Sequence, residues 1–208
     1  SIFQTTADSE IILHLLARPA DNGSSVLSAL RRVEGAFSLL IMSEQELIAV
    51  RDPFGWRPLV LGKLDGAYIL ASETCALDLI HAEFVREIEP GEVLIINEHG
   101  LRSERPFRDE QPAFCMFEYV YFARPDSIID NISVYRARLA MGVRLARTFA
   151  ATGLEADVVI PVPDSARTAA LSMAHELGIP YREGLVKNRY VGRTFIMAND
   201  GERKRSLR

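Results

Sequence analysis

Residues 157–165, Asp157-Val158-Val159-Ile160-Pro161-Val162-Pro163-Asp164-Ser165, constrain the fold more than any other stretch of the chain. A short apolar run closed by prolines and an acidic–hydroxyl turn reads as a buried strand that stops abruptly. A helical pattern over 167–177 follows at once. A strand that opens into a helix N-terminus belongs to an α/β layer, and the free N–H groups and helix dipole at such a junction favour an anionic ligand. A second short strand around Pro180, Tyr181 and Arg182 then leads to Lys187-Asn188-Arg189-Tyr190-Val191-Gly192-Arg193-Thr194-Phe195. There, three cations, a phenol, a hydroxyl and a glycine crowd into nine residues. Lys and Arg offer donors for phosphate, and Gly192 lets the backbone bend where a side chain would clash. A solvated basic loop has the same composition, so it is the loop's place after the strand–turn–helix pattern that makes it a candidate phosphate-closing segment.

Charge is distributed in the same sense. The formal net charge is −4, which argues against nucleic acid as the main partner. Residues 182–208 carry +5 and residues 1–181 carry −9. A basic end on an acidic body suits an anionic ligand at that end, although a plain solvated tail would look alike. The two widely spaced cysteines, Cys75 and Cys115, do not make a secreted disulfide framework. No apolar run reaches the roughly 18 residues of a membrane span. No secretory leader is visible, and a reducing cytoplasm is the expected compartment.

The first half reads as α+β. Helices are expected over 9–17 (capped by Asp8 or Ser9), 25–33 and from 72 to 79, and strands over 36–42, 47–51, 59–63, 67–72 and 91–96, with a hairpin partner after Gly100. Asp52-Pro53-Phe54-Gly55 and Leu64-Asp65-Gly66 supply turn chemistry. The polar, proline-containing stretch 105–113 reads as a connection. Beyond it, 118–122 reads as a strand and 135–149 as an amphipathic helix. Arg51, Asp52 and Arg57 read as a structural ion-pair and turn cluster, and Cys75 as a small buried residue. The four His residues show no metal-ligand spacing.

Several long motifs, in order, resemble the amidophosphoribosyltransferase family. They are Thr5-Thr6-Ala7-Asp8-Ser9-Glu10, Arg51-Asp52-Pro53-Phe54-Gly55-Trp56-Arg57-Pro58-Leu59, Ala71-Ser72-Glu73-Thr74-Cys75-Ala76-Leu77, Pro90-Gly91-Glu92, Cys115 through Ser127, Pro161 through Ser165 and Lys187 through Phe195. Trp56 stands where an aliphatic residue is more usual, and Ala166 where glycine is common. The resemblance covers essentially the whole chain. It implies part of an N-terminal-nucleophile hydrolase (glutaminase) sandwich over 1–108, the C-terminal part of a type 2 glutamine amidotransferase domain. Residues 109–208 would then form the N-terminal part of a type I phosphoribosyltransferase α/β domain.

The resemblance also implies site residues. Asp8 would bind the α-amino group of glutamine. Lys187, Arg189, Tyr190 and Arg193 would form the phosphoribosylpyrophosphate loop. Ser165 would contribute to Mg²⁺ binding, and Cys115 would be one of four cysteines holding a [4Fe-4S] cluster. Tyr121, Arg124 and Ser127 would lie near the route between two active sites. The family's cysteine nucleophile is expected before Ser1 and its paired-aspartate loop beyond Arg208, so the chain reads as a central section with no catalytic residue of its own and is expected to be inactive alone. The activity implied is glutamine-dependent amidophosphoribosyl transfer, the first committed step of purine synthesis. Partners would be glutamine, phosphoribosylpyrophosphate and feedback purine nucleotides, in a homo-oligomer. The alternative is a nucleotide-binding regulatory relative without catalysis.

Overall fold

In the computed structural model, which describes residues 3–5, 7, 9–17, 25–107, 111–188, 190, 201 and 204, the alternating apolar runs of the first half build two antiparallel sheets. The chain divides into two compact units, Ser1–Val134 and Tyr135–Arg208. In the first, α1 (Glu10–Leu16) and α2 (Ser25–Leu30) precede β1 (Ser38–Met42), β2 (Leu47–Arg51), β3 (Val60–Leu64) and β4 (Ala67–Ala71). Then come α3 (Thr74–Leu79), β5 (Glu83–Glu87), β6 (Val93–Asn97) and β7 (Gly100–Glu104). One sheet has the order β1-β2-β6-β7 and the other β4-β3-β5.

Side-chain alternation fixes how these layers stack. In β2, Ile48 and Val50 face one way and pack with Val93, Ile95 and α2 residue Leu30. Ala49, between them, faces the other way and packs with Leu94 and with Leu59 and Leu61 beside and within β3. The far face of the second sheet carries Val60, which packs with Leu77 of α3 and with Ala82. The result is helix on sheet on sheet on helix, the α+β arrangement that the alternation of apolar residues calls for. The β3–β4 hairpin turns at Asp65 and Gly66, both at positive φ (49° and 88°), as a tight two-residue loop requires.

Residues 111–134 continue the first unit. The Ala113 N–H donates to the Phe54 carbonyl at 2.8 Å, and a π-helical turn, Glu118–Phe122, follows. The strand expected over 118–122 is therefore a helical turn. Glu118 is buried and ion-paired to Arg57, and the Tyr119 hydroxyl donates to the Ile129 carbonyl at 2.8 Å. These long-range contacts override the β-forming composition of Glu-Tyr-Val-Tyr-Phe. A two-residue hairpin, β8 (Ile128–Ile129) and β9 (Ile132–Ser133), closes the unit; neither it nor β5 is marked by apolar alternation in the sequence.

The second unit holds α4 (Val134–Ala150) from Tyr135 onward and α5 (Arg167–Leu177). The helices pack closely: the Ser172 hydroxyl donates to the Leu139 carbonyl at 2.9 Å. The strand expected over 158–160 reduces to one parallel bridge, Val159 to Tyr181, with the Val159 N–H donating to Pro180 and Arg182 donating back. α5 ends at Gly178 in the left-handed conformation, the helix stop expected of glycine.

Candidate functional site

The bridge at Val159 carries the chain through Pro161 into the 163–166 turn, where the Pro163–Asp164 peptide is cis. The Asp164 carboxylate lies 3.4 Å from Arg167 and 3.8 Å from the Lys187 ammonium. Arg167 also pairs with Glu183 at 3.0 Å, and the Tyr181 hydroxyl donates to Glu183 at 2.7 Å. Turn, helix start, second strand and basic segment are thus joined by charge. Ser165 is half-buried in the turn and does not cap α5: the N-cap residue is Ala166, and no side-chain cap bond is made. Its hydroxyl remains an oxygen donor beside a carboxylate, which is the donor chemistry of a hard divalent cation.

Lys187 lies within this network. Tyr190 is fully exposed, its N–H donating to the Asn188 side-chain oxygen at 3.0 Å. Arg189 and Arg193 lie outside the described residues, as does Asp8. The Glu10 carboxylate accepts the Gln4 N–H at 2.7 Å, the Thr5 N–H at 2.8 Å and the Thr5 hydroxyl at 2.6 Å. Led by the Gln4 N–H and the Thr5 hydroxyl, these donors bring the Glu10 carboxyl down to about 2, with His14 adding to the effect. Ser9 occupies the N-cap of α1 without a side-chain cap bond. Glu10 therefore ties Gln4 and Thr5 to the start of α1.

Arg51 and Asp52 form the structural cluster that their turn suggests. The buried Arg51 guanidinium donates to the carbonyls of Ile88 (2.7 Å), Arg57 (2.8 Å) and Gly55 (3.1 Å). The fully buried Asp52 carboxylate accepts the N–H groups of Phe54 and Trp56. The two thiols differ. Cys75 is buried in α3, and burial pushes its thiol up from its ordinary value. Cys115 is half-buried, and its sulfur has no hydrogen-bond partner among the described residues. A half-buried free thiol fits iron ligation, whereas the buried Cys75, whose thiol burial pushes up, does not. Among the described residues, no group of three His, Cys, Asp or Glu could by itself hold a metal ion, and no helix is long and apolar enough to cross a membrane.

Residues 1–79 match the family described as glutamine amidotransferase domain. Over the whole chain, similarity extends further. The amidophosphoribosyltransferase of Bacillus subtilis (strain 168) is 47% identical over 210 residues, covering all of this chain and 44% of that protein. The solved structure described as the B. subtilis glutamine phosphoribosylpyrophosphate amidotransferase complexed with ADP and GMP superposes with a TM-score of 0.83 at 46% identity. It covers all of this chain and 46% of that one. A second, described as the allosteric regulatory enzyme of purine biosynthesis, gives the same score and identity over 44% of its length. The chain is thus similar along its whole length to these amidophosphoribosyltransferases, and it spans a little under half the length of the relatives it matches.

Proposed function

We propose that the chain is a section of an amidophosphoribosyltransferase. The protein would hydrolyse glutamine to glutamate and ammonia. Ammonia would then displace pyrophosphate from phosphoribosylpyrophosphate to give 5-phosphoribosylamine, the first committed step of purine synthesis. The observation that carries this reading is the joining of the basic segment to the strand-end turn through the Lys187–Asp164 pair, beside Ser165. On this reading the helix–sheet–sheet–helix unit belongs to an N-terminal-nucleophile hydrolase sandwich, and the second unit to a type I phosphoribosyltransferase domain.

The residues divide the work. Asp8 would hold the α-amino group of glutamine. Departing pyrophosphate gathers negative charge, and Lys187, Arg189 and Arg193 would stabilise it while Tyr190 helps to exclude water that competes with ammonia. Ser165 would take part in holding Mg²⁺, which neutralises charge on the leaving group. Cys115 would provide one of the four thiolates that a [4Fe-4S] cluster needs. The nucleotides in the B. subtilis structure suggest purine nucleotides as feedback ligands. A cytoplasmic homo-oligomer is the proposed setting.

The test separates the two half-reactions in the protein that contains this chain. Lys187→Ala should lower kcat/KM for ammonia-dependent phosphoribosylamine formation by about one to two decades, the loss of one charge-assisted phosphate contact. Glutamine hydrolysis measured without phosphoribosylpyrophosphate should be spared. Equal damage to both would assign Lys187 a structural role, and no turnover of either substrate by the parent protein would favour the nucleotide-binding regulatory relative.

A further inference from the structure

We propose that Arg57 and Glu118 are positioning residues for the Cys115 thiol, fixing the turn from which it would ligate an iron–sulfur cluster. The inference rests on the cluster reading above and concerns residues that would not touch the metal.

Both peptide groups around Cys115 are tied down. Its N–H donates to the Trp56 carbonyl at 3.4 Å, and its carbonyl accepts the Glu118 N–H at 3.0 Å. Two residues earlier, Ala113 is held to Phe54. The thiol therefore hangs between two anchors, the 54–57 turn and the first residue of the π-helical turn. Those anchors are themselves joined. The Arg57 guanidinium pairs with the Glu118 carboxylate and lies 4.0 Å from the centre of the Phe122 ring. Glu118 is only 3% exposed, so the pair is held away from solvent on the carboxylate side.

The anchorage continues into the sheets. The Arg57 carbonyl accepts the Arg51 Nε–H, and Arg51 is fixed by the carbonyls of Ile88 and Gly55. A line of hydrogen bonds and one ion pair thus runs from β2 through Arg51, Arg57 and Glu118 to the backbone of Cys115. An apolar pair of equal volume would fill the same space without fixing direction. A guanidinium held by a carboxylate, a ring and its own backbone specifies one orientation. Glu118 and Phe122 stand four residues apart on one face of the helical turn, and both bear on the same guanidinium.

Groups that orient a metal ligand from behind typically alter metal retention by about 10- to 100-fold when removed. The experiment uses the full protein containing this chain, purified without oxygen, in five forms besides wild type: Cys115→Ser, Glu118→Gln, Arg57→Ala, Arg57→Lys and Phe122→Leu. The readouts are iron per chain, visible absorption, the rate of iron release to a ferrous chelator in air, alkylation of residue 115 after iron removal, and melting temperature. Glu118→Gln and Arg57→Ala should speed iron release roughly tenfold or more and speed alkylation. Arg57→Lys, which keeps the charge, and Phe122→Leu, which keeps the ion pair, should lie between these and wild type. They carry the test if the first two do not fold. Wild-type rates of release and alkylation in the Arg57 and Glu118 variants, with or without a lower melting temperature, would overturn the proposal. Iron unchanged in Cys115→Ser would instead overturn the cluster reading, and the alkylation rates would then decide the positioning role by themselves.

Discussion

The Ser127 hydroxyl donates a 2.6 Å hydrogen bond to the Glu73 carboxylate across 54 positions of sequence. The same carboxylate oxygen accepts the Arg124 N–H at 2.8 Å, and next to it the Thr74 hydroxyl accepts the Ile128 N–H at 2.9 Å. The entry to α3 is thus the socket for the Arg124-Pro125-Asp126-Ser127 loop. Ser127 is fully buried, so water cannot replace its hydroxyl. Removing one partner of a buried hydrogen bond to a charged group costs about 1–3 kcal/mol. Ser127→Ala should lower the free energy of unfolding by that amount in a denaturant titration. A change below about 0.5 kcal/mol, usual for a surface substitution, would show that the socket is held by the backbone bonds alone.

Two neighbouring glutamates should titrate in opposite senses. Burial opposes the charge of Glu92, but the Arg86 guanidinium at 2.6 and 2.8 Å, the Glu89 N–H and the Ser103 hydroxyl more than offset it and hold the carboxyl below its ordinary value. Its folded pKa is depressed. Its stabilisation is present above the unfolded value of about 4.3 and is lost as pH falls through the folded one. Burial pushes Glu87 the other way, aided by the Asp130 charge and opposed by the Asp130 N–H and Arg51. Its stabilisation is present below the unfolded value and is lost as pH rises through the folded one. Unfolding free energies measured from pH 3 to 7 should therefore show Glu92→Gln flattening the acid-side loss and Glu87→Gln flattening a loss on the neutral side. The same slopes in all three proteins would refute both assignments.

How legible the fold was in the sequence depends on the range of the forces that set each part. The unbroken apolar runs of β2 and β6 could be read directly, because each strand is buried on both faces and keeps apolar side chains on both. The helix at 167–177 was legible to the residue from its pattern and its glycine stop. Glu118–Phe122 was not, because the partner of Glu118 is Arg57, 61 positions away. β5 was missed because Glu83, Phe84 and Val85 are all exposed, so no hydrophobic alternation marks that edge strand. At the candidate site, Lys187 and Ser165 could be named from composition and motif. The Asp164–Lys187 pair that joins them could not, since it needs the chain to return through the Val159–Tyr181 bridge. Glu10 was overlooked because a helix-start glutamate ordinarily serves its own first turn, whereas this one binds the loop before it.

A substitution at Gly142 tests the packing of the second unit. In the middle of a helix, glycine to alanine ordinarily gains about 1 kcal/mol, because alanine gives up less chain entropy. Here a Cβ would meet the Ala169 carbonyl oxygen of α5 and lie 2.8 Å from the Ser172 Cβ. The first obstacle is backbone, so the helices would have to part rather than a side chain rotate. Parting them would also stretch the 2.9 Å bond from Ser172 to Leu139. Overpacking of this kind costs about 1–3 kcal/mol, and losing the interhelical hydrogen bond adds about 1 kcal/mol. The steric terms exceed the propensity gain, so Gly142→Ala should lower the melting temperature. The substitution Gly153→Ala provides the contrast. No atom lies within 4 Å of a Cβ there, but φ is +70°, so any loss at that position comes from backbone strain alone. If Gly142→Ala is as stable as wild type, α4 and α5 do not approach as closely as their contacts indicate.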